Sequence, residues 1–263
     1  MIAGLTSQSL RRFVLAGGAL NLDAGSYTVF LVRRYEVDDL RRACIEPISA
    51  NIEMQLLSAI NRLQRLERID LYHTFLSLNA TKAVAGLLYE SLAHTRIQEG
   101  IALTIRPMIK QLKRTLFHSN FQGEEQVSNS MDQNDFVYFP PNTPIIYEEG
   151  KLISVEPKHL HVPKARNQVA LDSFFKLGTF LYIFQITIAK DHDIKKGIKD
   201  SLSGIQNMLP LKANWQFVFI TPPGCEVNVK VTSEVENFLE GVMPYSAHLE
   251  IEPRMGLNSP GPL

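Results

Sequence analysis

Asp172, Gln185 and Thr187 stand in the one stretch of this chain whose residue types are hard to explain by packing alone. The runs Gln168 to Phe175 and Thr179 to Ala189 are rich in β-branched and aromatic residues and flank the break Lys176-Leu177-Gly178. That pattern predicts a hairpin, with Gly178 supplying a positive φ at the turn. Side chains alternate along a strand, so Gln185 and Thr187 share one face of the second run while Asp172 sits in the first. A carboxylate beside a polar pair on the next strand is the arrangement of a metal site on a sheet.

A third oxygen donor comes from the helix read over Asn79 to Gln98, NATKAVAGLLYESLAHTRIQ. Asn79 or Thr81 can cap it and Gly100 can stop it. Val84, Leu87, Leu88 and Leu92 form its apolar stripe. Glu90 and His94 lie one turn apart, beside the small residues Gly86 and Ala93. Glu90, Asp172 and Gln185 together offer the hard oxygen ligands that Mg²⁺ or Mn²⁺ takes. An ion held there lowers the pKa of a bound water and offsets charge on a phosphodiester. Lys164, Arg166, Lys190, Lys195 and Lys196 would hold the phosphate backbone without reading sequence.

The ordinary readings of the same residues stand beside this one. Asp172 can be a strand-edge carboxylate pairing with Lys164. Gln185 can be a satisfied buried amide, and Glu90 with His94 an i,i+4 pair on a solvated face. His159 and His161 have no cysteine or carboxylate at ligand spacing and read as surface histidines. Trp215, Phe217 and Phe219 read as core.

Glu90 within GLLYESLAH, Asp172 within VPKARNQVALDSF, and the segment FQITIAKDHDI together resemble the restriction-endonuclease-like domain of Crinkler-type effectors, of the PD-(D/E)-x-K nuclease superfamily. The resemblance runs roughly from Asn79 to Ile251. It implies metal-dependent cleavage of nucleic acid, DNA before RNA, and action in a nucleus. It makes Glu90 the helix carboxylate, Asp172 the strand carboxylate and Gln185 the residue at the (D/E) position, all three metal ligands. The chain departs from the pattern two residues on, where Thr187 stands in place of lysine. Lys190 has the opposite parity to Gln185, so Lys190, Lys195, Lys196 and His192 are the candidates to act near the scissile phosphate. A derivative that binds nucleic acid or protein without cutting is the alternative, and a purely structural role is a third.

The elements that must position these groups follow from the rest of the chain. The charges balance at 27 Lys+Arg against 27 Asp+Glu, so any attraction to nucleic acid is local. Lys158 to Lys199 is where it gathers, with Lys158, Lys164, Arg166, Lys176, Lys190, Lys195, Lys196 and Lys199 against Asp172, Asp191 and Asp193. Cys44 and Cys225 give no disulfide framework, no Gly-x-x-x-x-Gly-Lys-Ser/Thr loop is present, and no apolar run approaches the ~18 residues of a bilayer span. With no signal-peptide core at the start, the expected setting is intracellular.

Residues 1–78 read as a mostly helical N-terminal module, with a strand at Tyr27 to Arg33 and a helix from Ile52 to Leu66 after Pro47 and Ser49. Residues 79–252 read as the restriction-endonuclease-like domain and 253–263 as a disordered tail. Asn120 to Asp135 reads as a mobile loop, and the proline-broken Phe136 to Tyr147 as irregular or edge structure. A helix over Asp193 to Leu209 would cross from the hairpin to a parallel strand at Trp215 to Thr221, followed by a short helix at Glu234 to Val242 and a last strand at Ala247 to Ile251. The expected fold is α/β, a mixed central sheet flanked by helices.

Overall fold

A strand reading WQFVFIT, apolar at nearly every position, must be covered on both faces. The computed structural model describes residues 6–11, 30–34, 43–110, 116–118, 135–148, 154–164, 171–194, 197–203, 205–231 and 233–252. In it all seven residues of Trp215–Thr221 are buried.

In chain order the elements are β1 (Phe30–Arg34), β2 (Ala43–Pro47), α1 (Ala50–Arg62), α2 (Arg65–Leu76), α3 (Lys82–Gln98), β3 (Ile101–Pro107), β4 (Ile109–Lys110) and β5 (Leu116–His118). They continue as β6 (Asp135–Phe139), β7 (Ile145–Tyr147), β8 (Leu160–Pro163), β9 (Ser173–Leu177), β10 (Phe180–Ile186), β11 (Asp191–Asp193), α4 (Gly197–Ser203), β12 (Trp215–Thr221), β13 (Asn228–Lys230), α5 (Ser233–Phe238) and β14 (Met243–His248).

The main sheet has eight strands in the order β6-β3-β14-β12-β10-β9-β8-β7. β8, β9 and β10 run as an antiparallel meander. α4 then crosses to β12, which lies parallel to β10, and α5 crosses to β14, parallel to β12. The segment expected to be irregular or edge structure supplies both margins, β6 at one end and β7 at the other, where prolines cost no ladder bonds. A four-stranded sheet, β11-β13-β5-β4, forms a second layer, and β1 with β2 makes a separate antiparallel pair.

The residues of β12 alternate between two cores. Val218 and Ile220 face a core shared with Tyr182, Phe184 and Ile186 of β10 and with Val84, Leu88 and Leu92 of α3. Phe217 and Phe219 face a second core, shared with Leu181 and Ile183 of β10, Ile198 and Leu202 of α4, and Val229 of β13. Leu56, Leu71 and Phe75 of α1 and α2 belong to the first core, so these helices cover α3 from outside. Arg68 of α2 is buried there and its Nη1 donates to Ser91 Oγ at 2.8 Å and Thr95 Oγ1 at 3.1 Å. Burial among these neutral partners lowers its pKa.

Three expectations need correction. The helix read over Ile52 to Leu66 is two helices: Gln64 caps α2 in a capping box with Glu67, whose Oε2 accepts the Gln64 N–H at 3.0 Å, and Leu66 is 68% exposed. Asp193 to Leu209 is not one helix either, because Asp191–Asp193 pairs with β13 as a strand and only Gly197–Ser203 is α-helical. Its apolar positions Ile194, Ile198, Leu202 and Ile205 still enter the second core. The last strand runs Met243–His248, earlier than Ala247 to Ile251, because its register follows β12. The first 78 residues also hold the β1–β2 pair, whose first strand, Phe30–Arg34, overlaps the strand read at Tyr27 to Arg33. The expected mobile loop, apart from Asp135, and the tail from Pro253 lie outside the described residues. No helix among those residues is long and apolar enough to cross a membrane.

α3 ends on Gly100, at φ +89°, where an added Cβ would sit 2.7 Å from Pro141 Cδ and 2.9 Å from its backbone nitrogen. Gly86, inside the same helix, would place a Cβ 3.9 Å from Ile188 Cγ1, an ordinary contact. Gly86→Ala should therefore raise unfolding stability by about 0.5–1 kcal/mol through helix propensity. Gly100→Ala should lower it by about 2 kcal/mol or more through strain and overlap. Urea denaturation of the two variants checks both signs.

Candidate functional site

The hairpin forms with Leu177 opposite Phe180, leaving Gly178 and Thr179 as a two-residue turn with Gly178 at φ +59°. Glycine at the first turn position is what a type II′ geometry requires. At the other end β9 begins at Ser173, and the Asp172 N–H still donates to Phe184 O at 3.0 Å. Beyond that point the backbone ladder on this side of β10 stops. The Ile186 N–H donates instead to Asp172 Oδ2 at 2.6 Å, and Gln185 Nε2 donates to the same oxygen at 2.9 Å. Asp172 thus finishes the edge of β10 with its side chain, and the expected neighbours Asp172 and Gln185 are in direct contact.

Parity decides which other groups join them. Gln185 pairs in register with Phe219, on the face of the second core. His192 lies over that same Phe219, with ring centroids 5.8 Å apart, so it occupies the side of the sheet that Gln185 faces. Glu90 is on α3, which packs against the opposite face, that of Tyr182, Phe184 and Ile186. His94, one turn after Glu90, meets Ser173 Oγ at 3.1 Å through Nε2. Both carboxylate and imidazole are buried, so the reading of a solvated i,i+4 pair is corrected. Ser173 is fully buried and the His94 contact serves to seat α3 on β9. An apolar helix carrying one serine-seeking histidine is its only trace in the sequence.

The position where the resemblance expects lysine holds Thr187, 8% exposed, whose Oγ1 accepts the Ala189 N–H at 3.0 Å. Lys190 is exposed, past the end of β10, and its carbonyl accepts from the Asn228 N–H at 2.6 Å. Lys164 lies at the same end of the sheet as Asp172, because β8 runs antiparallel to β9. It pairs with Glu148 at 2.8 Å and not with Asp172. Such an exposed pair is worth at most about 1 kcal/mol and yields readily to a phosphate. Arg166, Lys195 and Lys196 lie outside the described residues.

As a cation site, Asp172 and Gln185 supply two hard oxygens in contact once the amide turns its carbonyl inward. Among the described residues no group of three His, Cys, Asp or Glu side chains is placed to hold a metal ion. No family model, curated protein or solved structure matches the chain.

His161, expected at the surface, is fully buried on β8 and stacks on Phe174 at 4.6 Å and 2°. The Glu156 N–H donates to its Nε2 at 3.2 Å, and Nδ1 meets His159 O at 3.1 Å. That is the bonding of a neutral ring, and burial lowers its pKa from 6.5 to about 4. His-x-His here is packing, set by the alternation of β8.

Two outcomes follow. The unfolded chain binds the His161 proton below pH 6.5 while the native ring binds it only near pH 4. The stability tied to the neutral ring is therefore complete above pH 6.5 and lost as pH falls toward 4, which denaturant unfolding at stepped pH measures. Asp172→Ala should cost about 1–3 kcal/mol by orphaning the Ile186 N–H, whereas Asp172→Asn keeps an acceptor and should cost less. Thermal unfolding of the two variants distinguishes them.

Proposed function

We propose that this chain is a metal-dependent nuclease-like domain acting on DNA phosphodiester bonds. The observation that carries the reading is the Asp172–Gln185 contact at the end of the β9–β10 hairpin. It sits within a connectivity of helix α3, meander β8-β9-β10, crossover α4 and parallel strand β12. Glu90, Asp172 and Gln185 follow one another along the chain in the order of the motifs that carry the resemblance to PD-(D/E)-x-K nucleases.

Asp172 and Gln185 would hold the divalent cation, with waters completing its shell; the expected third ligand, Glu90, sits on the helix that covers the opposite face of the sheet and is not brought to them. When bound, such an ion acidifies a water and offsets phosphate charge. The chain's own groups do the rest. The Ile186 N–H fixes the Asp172 carboxylate in the plane of the sheet, so its orientation is set before any ligand arrives. His192, on the side that Gln185 faces, would accept a proton or meet a phosphate oxygen. Lys164 at the same sheet end supplies charge for the backbone by leaving Glu148.

Thr187 favours the second reading, a nuclease-fold derivative that binds without cutting. A buried hydroxyl turned to its own backbone supplies no positive charge to a phosphorane. Plasmid and single-stranded DNA incubated with Mg²⁺ or Mn²⁺ test the choice. Metal-dependent cutting by the wild type that falls about 10²-fold or more in Asp172→Asn supports the enzyme. Binding without cutting supports the derivative, and neither overturns both.

A further inference from the structure

The outer face at the β14–β3–β6 end of the main sheet carries chemistry that the Asp172 site leaves unused. Register places Gln185, Phe219, Ser246 and Arg106 in one row across four strands, so Arg106 is on the same face as Gln185. Two residues along β3, Thr104 pairs with Phe136 of β6, and Ala102 pairs with Tyr138. The alternate residues Val137 and Phe139 go to the first core, which leaves Phe136 72% and Tyr138 56% exposed, side by side. They line a cleft of about 520 Å³ with Arg96, Arg106, His248 and Glu250.

Its electrostatics are uneven. Arg96 shares the single carboxylate of Glu99 with Arg65, at 3.0 and 2.9 Å, so two guanidiniums face one anion. Arg106 adds a second cation to the lining, against Glu250. Burial and the neighbouring Arg106 lower the pKa of His248, whose Nδ1 meets Thr221 Oγ1 at 3.0 Å. The cleft volume falls in the range that small ligands fill, and it admits one or two nucleotide units.

We infer that this cleft binds unstacked bases of a single-stranded nucleic acid, with Phe136 and Tyr138 as the stacking platform and Arg106 and Arg96 holding the backbone. Two exposed rings lining one cleft with two guanidiniums are the elements by which proteins hold single strands without reading sequence. Bases locked inside a duplex do not present the faces that such rings require. The inference rests on the nucleic-acid reading above, but on neither the cation nor cleavage. It makes a single strand, or a frayed end, the substrate class delivered to that face of the sheet.

The test is fluorescence anisotropy with a labelled mixed-sequence single-stranded oligonucleotide in EDTA. The full chain is compared with Phe136→Ala/Tyr138→Ala, Arg106→Ala and the exposed control Leu211→Ala. The expected result is salt-dependent binding, weakened about ten-fold or more in the aromatic pair variant, weakened in Arg106→Ala, and unchanged in Leu211→Ala. Far-ultraviolet circular dichroism should match wild type, since both rings are exposed. Binding that the aromatic variant leaves intact overturns the cleft assignment while the nucleic-acid reading stands. No binding of any nucleic acid overturns both. A duplex or free mononucleotide bound as tightly as the oligonucleotide overturns the single-strand assignment. Salt-independent self-association lost in the aromatic variant overturns it in favour of a second copy of the chain.

Discussion

β12 is buried on both faces, and that constraint organises the molecule. A parallel strand needs crossovers, which α4 and α5 provide, and both of its faces need cover. α3 with α1 and α2 covers one, and α4, α5 and the small sheet cover the other. Once the parity of β12 is set, hydrogen-bonded register transmits it to every neighbour. Gln185 follows Phe219, Ser246 follows Phe219 on the other side, and Arg106 follows Ser246. Which side chains share a face is therefore decided at the centre of the sheet and read out at its margins.

The same parity divides the candidate site. Gln185 and His192 belong to the face of the second core, whereas α3, with Glu90, covers the first. Asp172 belongs to neither, because its carboxylate lies in the plane of the sheet, where it replaces a missing backbone acceptor for Ile186. Polar groups thus come to one sheet end from three directions, and the Asp172–Gln185 bond is where two of them meet. The carboxylate has a structural duty as well as a chemical one, since an unpaired N–H at that point would be costly.

Several polar residues that look surface-bound in sequence are interior. His161, His94, Ser173 and Arg68 are all buried, and each has hydrogen-bond partners among packed elements. They join helix to helix or strand to loop at points where apolar contact alone sets no register. In contrast Phe136 and Tyr138, apolar in type, are exposed because β6 is an edge strand whose other face already fills the core with Val137 and Phe139.

Local pattern alone determined the hairpin with its glycine turn, the buried strand Trp215–Thr221, the crossover before it, and the apolar faces of the helices. These rest on side-chain alternation, helical period and turn chemistry within a few residues, which a linear reading captures. The adjacency of Asp172 and Gln185 was legible for the same reason, since a short turn brings opposing residues of a hairpin together. The break at Gln64 rests on a local capping box with Glu67 that the continuous apolar period masked, whereas the strand at Asp191–Asp193 and the burial of His161 were not legible because they depend on pairing with β13 and on packing against β9. Only the tertiary structure decided that Glu90 lies across the sheet from Gln185, and that Arg106 falls in the same cross-strand row as Gln185. Those relations pass through the packing of a helix on the sheet and through register between strands distant in the chain, and no local spacing encodes them.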